Sequence, residues 1–150
     1  MSKQSDLCKM LAISVGGQEF CLDVMMVREI RGWSPATPLP RTPPYVIGMV
    51  NLRGAVIPVI DLAARLGFAP AQPSARHVIV VAEVGSGLVG LLVDGVTDTI
   101  EVNTGDVQPT PEAASEGARA FVSGILALEN RLLAVLTFHE LLTIPELAAA

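Results

Sequence analysis

The feature that most constrains this chain is Gly16-Gly17, set between two stretches of alternating hydrophobicity. Leu11, Ile13 and Val15 precede it at every second position, and Phe20, Leu22 and Val24 come after it in the same rhythm. Alternation with period two marks a strand, and Gly-Gly marks a two-residue hairpin loop because both positions accept positive φ. Such a loop pairs positions whose numbers sum to 33. Ile13 then faces Phe20 and Leu11 faces Leu22, which puts all four on one side of the sheet. The same register sets Cys21 against Ala12 and Cys8 against Met25. The cysteines are not partners, and no disulfide is expected.

The rest of the chain reads as more β structure broken by short turns. Val24–Ile30 is apolar enough for a helical turn or a strand. Pro35, Pro38, Pro40, Pro43 and Pro44 exclude a central strand and predict an ordered surface loop. Pro44–Gly48 is expected to make one helical turn that ends at its glycine. Val50–Gly54 is a turn and Ala55–Asp61 a strand, where Pro58 points to an edge position or a bulge. Asp61 is placed to cap a short helix, Leu62–Leu66, stopping at Gly67.

Residues 67–75, GFAPAQPSA, form a Pro/Ala linker between two β-rich halves, approximately 11–66 and 76–142. In the second half, His77–Val84 and Leu88–Val93 form a hairpin around Gly85-Ser86-Gly87. Thr99–Val102 is a strand and Val107–Gly117 a loop. Ile125–Leu128 and Leu132–Leu136 pair around Glu129-Asn130-Arg131. Helices are expected near Phe138–Leu142 and Pro145–Ala149. Many short strands with regular turn signals indicate barrels or a sandwich, and the linker favours two small barrels sharing one unit.

Composition narrows the function. With 150 residues the chain can bury a core of its own, and 51% hydrophobic against 17% charged residues is not the signature of disorder. Aromatics are 4%, so Val, Ile, Leu and Ala must build that core. A net charge of −5 lacks the clustered cations that a nucleic-acid binder needs. Residues 1–75 carry a balance of +2 and residues 76–150 one of −7, which fits either two faces for different partners or a randomly charged surface. The N-terminus lacks the apolar core of a signal peptide. Glu83, Asp94 and the glycines within His77–Val96 argue against a membrane span there. The expectation is a soluble, cytoplasmic protein.

Reaction chemistry finds no foothold. Gly85-Ser-Gly-Leu-Val-Gly90 fits GxGxxG, but the segment after the first glycines is β-branched and glycine-interrupted, unlike the helix whose N-terminus would face pyrophosphate. A hairpin turn is the better reading. His77 and His139 are the two histidines, and both are placed as structural residues at the start of a strand and of a helix. No serine lies in a GxSxG elbow, and no HExxH, DxDxDG or Walker pattern occurs. Asn51-Leu-Arg-Gly54 differs from these. Asn and Gly serve a turn, but neither role requires Arg53, whose guanidinium at a rigid turn is pre-organised for a carboxylate. The alternative is a solvated arginine.

Three runs then resemble one family. They are Val27-Arg-Glu-Ile-Arg-Gly32, Pro43-Pro-Tyr-Val-Ile-Gly-Met-Val-Asn-Leu-Arg-Gly54 and Ile57-Pro-Val-Ile-Asp-Leu62. They look like the first half of the CheW family. Val89-Gly-Leu-Leu-Val-Asp-Gly-Val-Thr-Asp98, Phe121-Val-Ser-Gly-Ile125 and Leu132–Leu142 look like its second half. The resemblance covers about Leu11 to Leu147.

It implies a mostly β protein, two small five-stranded barrels around a shared core, short helices including one near the C-terminus, and no catalytic site, cofactor or metal. It also implies an adapter that bridges the cytoplasmic tips of chemoreceptors to the regulatory domain of the histidine kinase CheA. Val27, Glu29, Asn51, Arg53 and Gly54 are then the receptor or array contacts. The kinase contact is left to exposed apolar strand positions of the second half, without named residues. Recruitment to membrane receptor arrays would be through these partners. The alternatives are a small-ligand-binding β-barrel, or the same adapter serving another signalling pathway.

Overall fold

The alternation and turns become ten strands and one α-helical turn in a computed structural model, which describes residues 7–84, 87–110 and 121–137. The strands are β1 (Leu7–Val15), β2 (Gln18–Asp23), β3 (Val27–Gly32), β4 (Val46–Leu52) and β5 (Ala55–Asp61). After α1 (Leu62–Arg65) come β6 (Val78–Val84), β7 (Gly87–Val93), β8 (Gly95–Asn103), β9 (Val122–Leu128) and β10 (Arg131–Leu136). Val24–Met26 and Thr104–Asp106 form single 3-10 turns. The expected C-terminal helices, and His139, lie outside the described residues.

The first hairpin has the register its loop dictates, with Leu11 opposite Leu22, Ala12 opposite Cys21 and Ile13 opposite Phe20. The ladder ends at Met10–Asp23, so Cys8 faces Val102 of β8 rather than Met25. Cys8 and Cys21 are free thiols. β6 and β7 form the second hairpin, closing at Val84–Gly87, so the GxGxxG run opens a strand.

The strands assemble into two five-stranded sheets, ordered β8-β1-β2-β10-β9 and β3-β6-β7-β5-β4. Position by position the two share one wiring. A hairpin lies at the centre, a parallel strand joins its second member, and an antiparallel strand flanks each side. The chain is thus two tandem five-strand units, β1–β5 and β6–β10, that exchange their last three strands. The division between sheets therefore differs from the expected one at the 67–75 linker. β1 and β2 of the first half complete the sheet of β8–β10, and β6 and β7 complete the sheet of β3–β5.

Neither sheet closes into a barrel. In each, one isolated bridge ties the segment after one edge strand to the other edge: Thr37, after β3, to Met49 of β4 in the second sheet, and Gln108, after β8, to Ile125 of β9 in the first. These bridges need unusually close backbones. A Cβ on Gly48 would collide with the Thr37 carbonyl oxygen, and one on Gly124 would lie 2.6 Å from that of Gln108. Val46–Leu52 continues through Gly48 as a strand, with a register shift between Val46 and Gly48, instead of making the helical turn expected there. Pro58 is not on an edge, because β5 lies between β4 and β7. It is tolerated because the parallel ladder to β7 starts only at Val59, so no sheet bond to β7 is lost.

Three apolar clusters result from this arrangement. Leu11, Ile13, Phe20 and Leu22 of the first sheet meet Ile60, Val80, Ala82, Leu91 and Val93 of the second in the shared core. Met10, Ala12, Cys21, Leu126 and Leu133 fill the interior of the first sheet. Val50, Ile57, Val59, Ile79, Val81 and Leu92 fill that of the second. The central strands are buried on both faces, so Met10–Ile13 and Ile79–Ala82 are continuous apolar runs rather than alternating ones. Each such Ile or Leu contributes roughly 1.5–3 kcal/mol on burial.

Candidate interaction surface

The Asn51–Gly54 motif sits at the tip of the β4–β5 hairpin. Leu52 pairs with Ala55, which leaves Arg53 and Gly54 as a two-residue loop. Both have positive φ, 52° and 88°, as a type I′ loop requires. Gly54 adopts this freely, whereas Arg53 is held in a conformation costly for a side chain with a Cβ. Asn51 fixes the loop, its Oδ1 accepting the Gly54 N–H at 2.8 Å. Leu52 anchors it from below, 6% exposed in the interior of the second sheet.

The strained loop aims Arg53 across the opening between the edges of the second sheet. Its Nη2 pairs with Glu29 Oε1 at 2.8 Å, while 77% of the Arg53 side chain stays accessible. Glu29 belongs to β3, where the burial alternates residue by residue. Val27 and Glu29 lie on the half-buried side, and Val27 packs against the shared core. Arg28 and Ile30 point out, and Arg28 pairs with Glu83 of β6. A register shift between Val27 and Glu29 kinks the edge there. Four of the five expected contacts, Glu29, Asn51, Arg53 and Gly54, thus form one hydrogen-bonded and ion-paired unit, with Val27 two residues away on the same face of β3. The carboxylate expected for Arg53 is supplied, in this chain, by Glu29.

The CheW-like domain family matches residues 9–146. The chemotaxis protein CheW of Rhizobium meliloti (strain 1021) is 51% identical over 142 residues, covering 95% of this chain and 92% of that one. The chemotaxis protein CheW of Bacillus subtilis (strain 168) is 32% identical, covering 89% and 86%. The crystal structure of the scaffolding protein TtCheW from Thermoanaerobacter tengcongensis superposes with a TM-score of 0.83 at 30% identity, covering 92% and 94%. This chain belongs to the CheW family.

Other polar groups of this CheW fold were not singled out in the sequence. Arg131 of β10 donates to Glu19 of β2, at 2.6 Å, and to Asp98 of β8, at 3.0 Å. Those two carboxylates, Glu19 first, hold its guanidinium more firmly in the charged form. Arg65 stacks between Tyr45 and Phe121, 4.3 and 4.8 Å from the ring centres. Tyr45 and Phe121 occupy matching places just before β4 and β9. A signal for this existed in the sequence: Tyr45, Val46 and Gly48 recur as Phe121, Val122 and Gly124, each 76 positions on. Asp61 caps α1 as expected, and its second oxygen also accepts the Ala71 N–H of the linker at 2.8 Å.

The linker also gathers Ser74 and His77 beside Asp94. The His77 Nδ1 accepts the Ser74 N–H at 3.1 Å, and its Nε2 lies 3.5 Å from Asp94. The Ser74 Oγ also lies 3.2 Å from Nδ1, but it shares that lone pair with the Ser74 backbone N–H, a poor arrangement for a general base. Among the described residues, no group of three or more His, Cys, Asp and Glu side chains is placed to hold a metal. No described helix is long and apolar enough to cross a membrane.

Proposed function

We propose that this chain is a non-enzymatic adapter that couples chemoreceptors to the histidine kinase CheA in chemosensory signalling. The observation that carries the reading is Arg53, an exposed guanidinium held by a strained, Asn-braced loop. Holding a charged side chain in a costly conformation makes little sense for folding and good sense for presenting it to a partner. The receptor contact is therefore assigned to Val27, Glu29, Asn51, Arg53 and Gly54, and the ligand there is the cytoplasmic tip of a chemoreceptor.

The kinase contact is assigned to exposed apolar strand positions of the second half. Among the described residues of that half, Leu132 on β10, 66% exposed, fits this description. It lies on the other sheet from Arg53. The chain crosses between the two sheets at two places, β2 to β3 and β7 to β8, and the sheets share one core, so the two partners would be held on one body. Tethering both raises the local concentration of each for the other. The filled interiors of both sheets disfavour the small-ligand barrel.

The test is to mix the purified chain with the CheA regulatory domain of the same genome on a sizing column. Co-elution at micromolar concentration supports the adapter. Separate peaks with every CheA of that genome would sink it. Recruitment to receptor arrays belongs to the same proposal, and its check is polar fluorescence of a labelled chain in cells with and without receptors.

A further inference from the structure

The connection between α1 and β6 is a strap tied to both sheets. At its start, Phe68 packs against Gly16 in the β1–β2 turn and meets Phe20 edge-on at 6.2 Å. In its middle, Ala71 is tied to the buried carboxylate of Asp61. At its end, the Ser74 N–H donates to His77 Nδ1, while the Ser74 carbonyl accepts the His77 N–H at 3.0 Å. Asp94 is the single residue between β7 and β8, where the chain crosses from one sheet to the other. One of its oxygens faces His77 Nε2, and the other accepts the Gly16 N–H at 2.9 Å.

The chemistry of this cluster depends on one proton. A backbone N–H cannot donate to a protonated ring nitrogen, so the Ser74 contact requires the tautomer with its hydrogen on Nε2. We infer that His77 is a proton-operated latch for the Ser74 amide of the strap. With neutral imidazole, Nδ1 holds the Ser74 amide and Nε2–H points at Asp94. With imidazolium, Nδ1 can no longer accept the Ser74 N–H and donates instead to Ser74 Oγ, 3.2 Å away, while Nε2–H grips the Asp94 carboxylate as an ion pair. The proton comes from water and returns to it.

The groups around the ring are few. The crossing contributes Asp94, the β1–β2 turn contributes backbone alone, and the end of β3 contributes the Trp33 N–H to the His77 carbonyl. Within the strap, Arg76 is the charged neighbour, and its backbone N–H donates to Ser74 Oγ. Asp94 is the described carboxylate within ion-pair distance of the ring. Because Phe68, Ala71 and the His77 N–H to Ser74 carbonyl bond do not depend on the ring proton, acid releases the Ser74 amide and leaves the strap and the sheets in place.

The experiment is an NMR titration of the full-length chain carrying His139→Gln, so that His77 alone reports. Between pH 8 and 5, the Ser74 amide should shift with the same midpoint as the His77 ring. Its protection against exchange should fall by roughly five- to tenfold across that midpoint, the worth of one hydrogen bond at an exposed site. The response should vanish in His77→Gln and persist in Ser74→Ala, which keeps the backbone donor. A Ser74 amide that stays flat while His77 titrates overturns the latch. So does a response that survives His77→Gln or is lost in Ser74→Ala.

Discussion

Arg53 and Glu29 face each other across the open side of the second sheet, Nη2 to Oε1 at 2.8 Å. Glu29 comes from edge strand β3 and Arg53 from the loop that follows edge strand β4, and the two edge strands do not pair with each other along a ladder. The ion pair and the Thr37–Met49 bridge both span that gap. Because Arg53 is largely accessible, the pair is a weak clamp for folding, worth about 0–1 kcal/mol. Its importance lies in where it holds the guanidinium.

Arg53→Glu should therefore leave the fold intact and damage coupling. It sets two carboxylates against each other at the hairpin tip, and the cost to stability is about 1 kcal/mol or less. Thermal melting should stay within a few degrees of wild type while receptor binding in a pull-down is lost. An unfolded variant would make Arg53 structural and remove it from the contact surface.

Gly48→Ala should destabilise strongly although it adds only a methyl group. The new Cβ runs into the Thr37 carbonyl oxygen, a backbone atom that cannot swing aside. Overpacking of this kind costs about 1–3 kcal/mol. Gly124→Ala meets the Gln108 carbonyl and a Val107 methyl in the same way and should behave alike. Urea midpoints equal to wild type would show that the bridges give way.

Ile13→Asp should abolish folding. Ile13 is fully buried in the shared core opposite Phe20, and an unpaired carboxylate there has no partner. Soluble expression with wild-type melting would contradict the hairpin register itself.

Asp61→Ala should cost about 1–3 kcal/mol, because one carboxylate serves two amides. It accepts from Ala64 at the start of α1 and from Ala71 in the strap, and it is nearly buried. Hydrogen exchange should speed at both amides together. Loss of protection at Ala64 alone would show that the strap does not depend on Asp61.

Cys21 should resist alkylation where Cys8 reacts slowly. Burial, with a smaller contribution from Cys8, pushes the Cys21 thiol up to about 11. Burial also raises Cys8, followed by the charge of Asp23. The unfolded chain loses its Cys21 proton near pH 9 and the folded chain only near 11, so the stability tied to this group is whole below pH 9 and is lost as pH rises towards 11. Iodoacetamide at pH 8 followed by mass spectrometry should label Cys8 first. Equal labelling would show that Cys21 is reached without unfolding.

What the sequence determined by itself was local. The Gly16-Gly17 register, the Asp61 cap and the break at Gly67 depend on residues a few positions apart, where turn chemistry and periodicity act directly. The Asn51–Gly54 turn was legible for the same reason, and the family could be recognised because its motifs are contiguous. Only the tertiary structure decided which strands share a sheet. A strand carries its face in its alternation but not its partner, and here each central hairpin takes its flanking strands from the other half of the chain. Gly48 misled as a helix stop, because its purpose is a carbonyl eleven residues away, whereas Pro58, read as marking an edge or a bulge, lies on an interior strand beside a register shift of the β4–β5 ladder. The partner of Arg53 was equally hidden. Glu29 lies 24 positions earlier, on the far edge strand of the same sheet, and nothing local joins them.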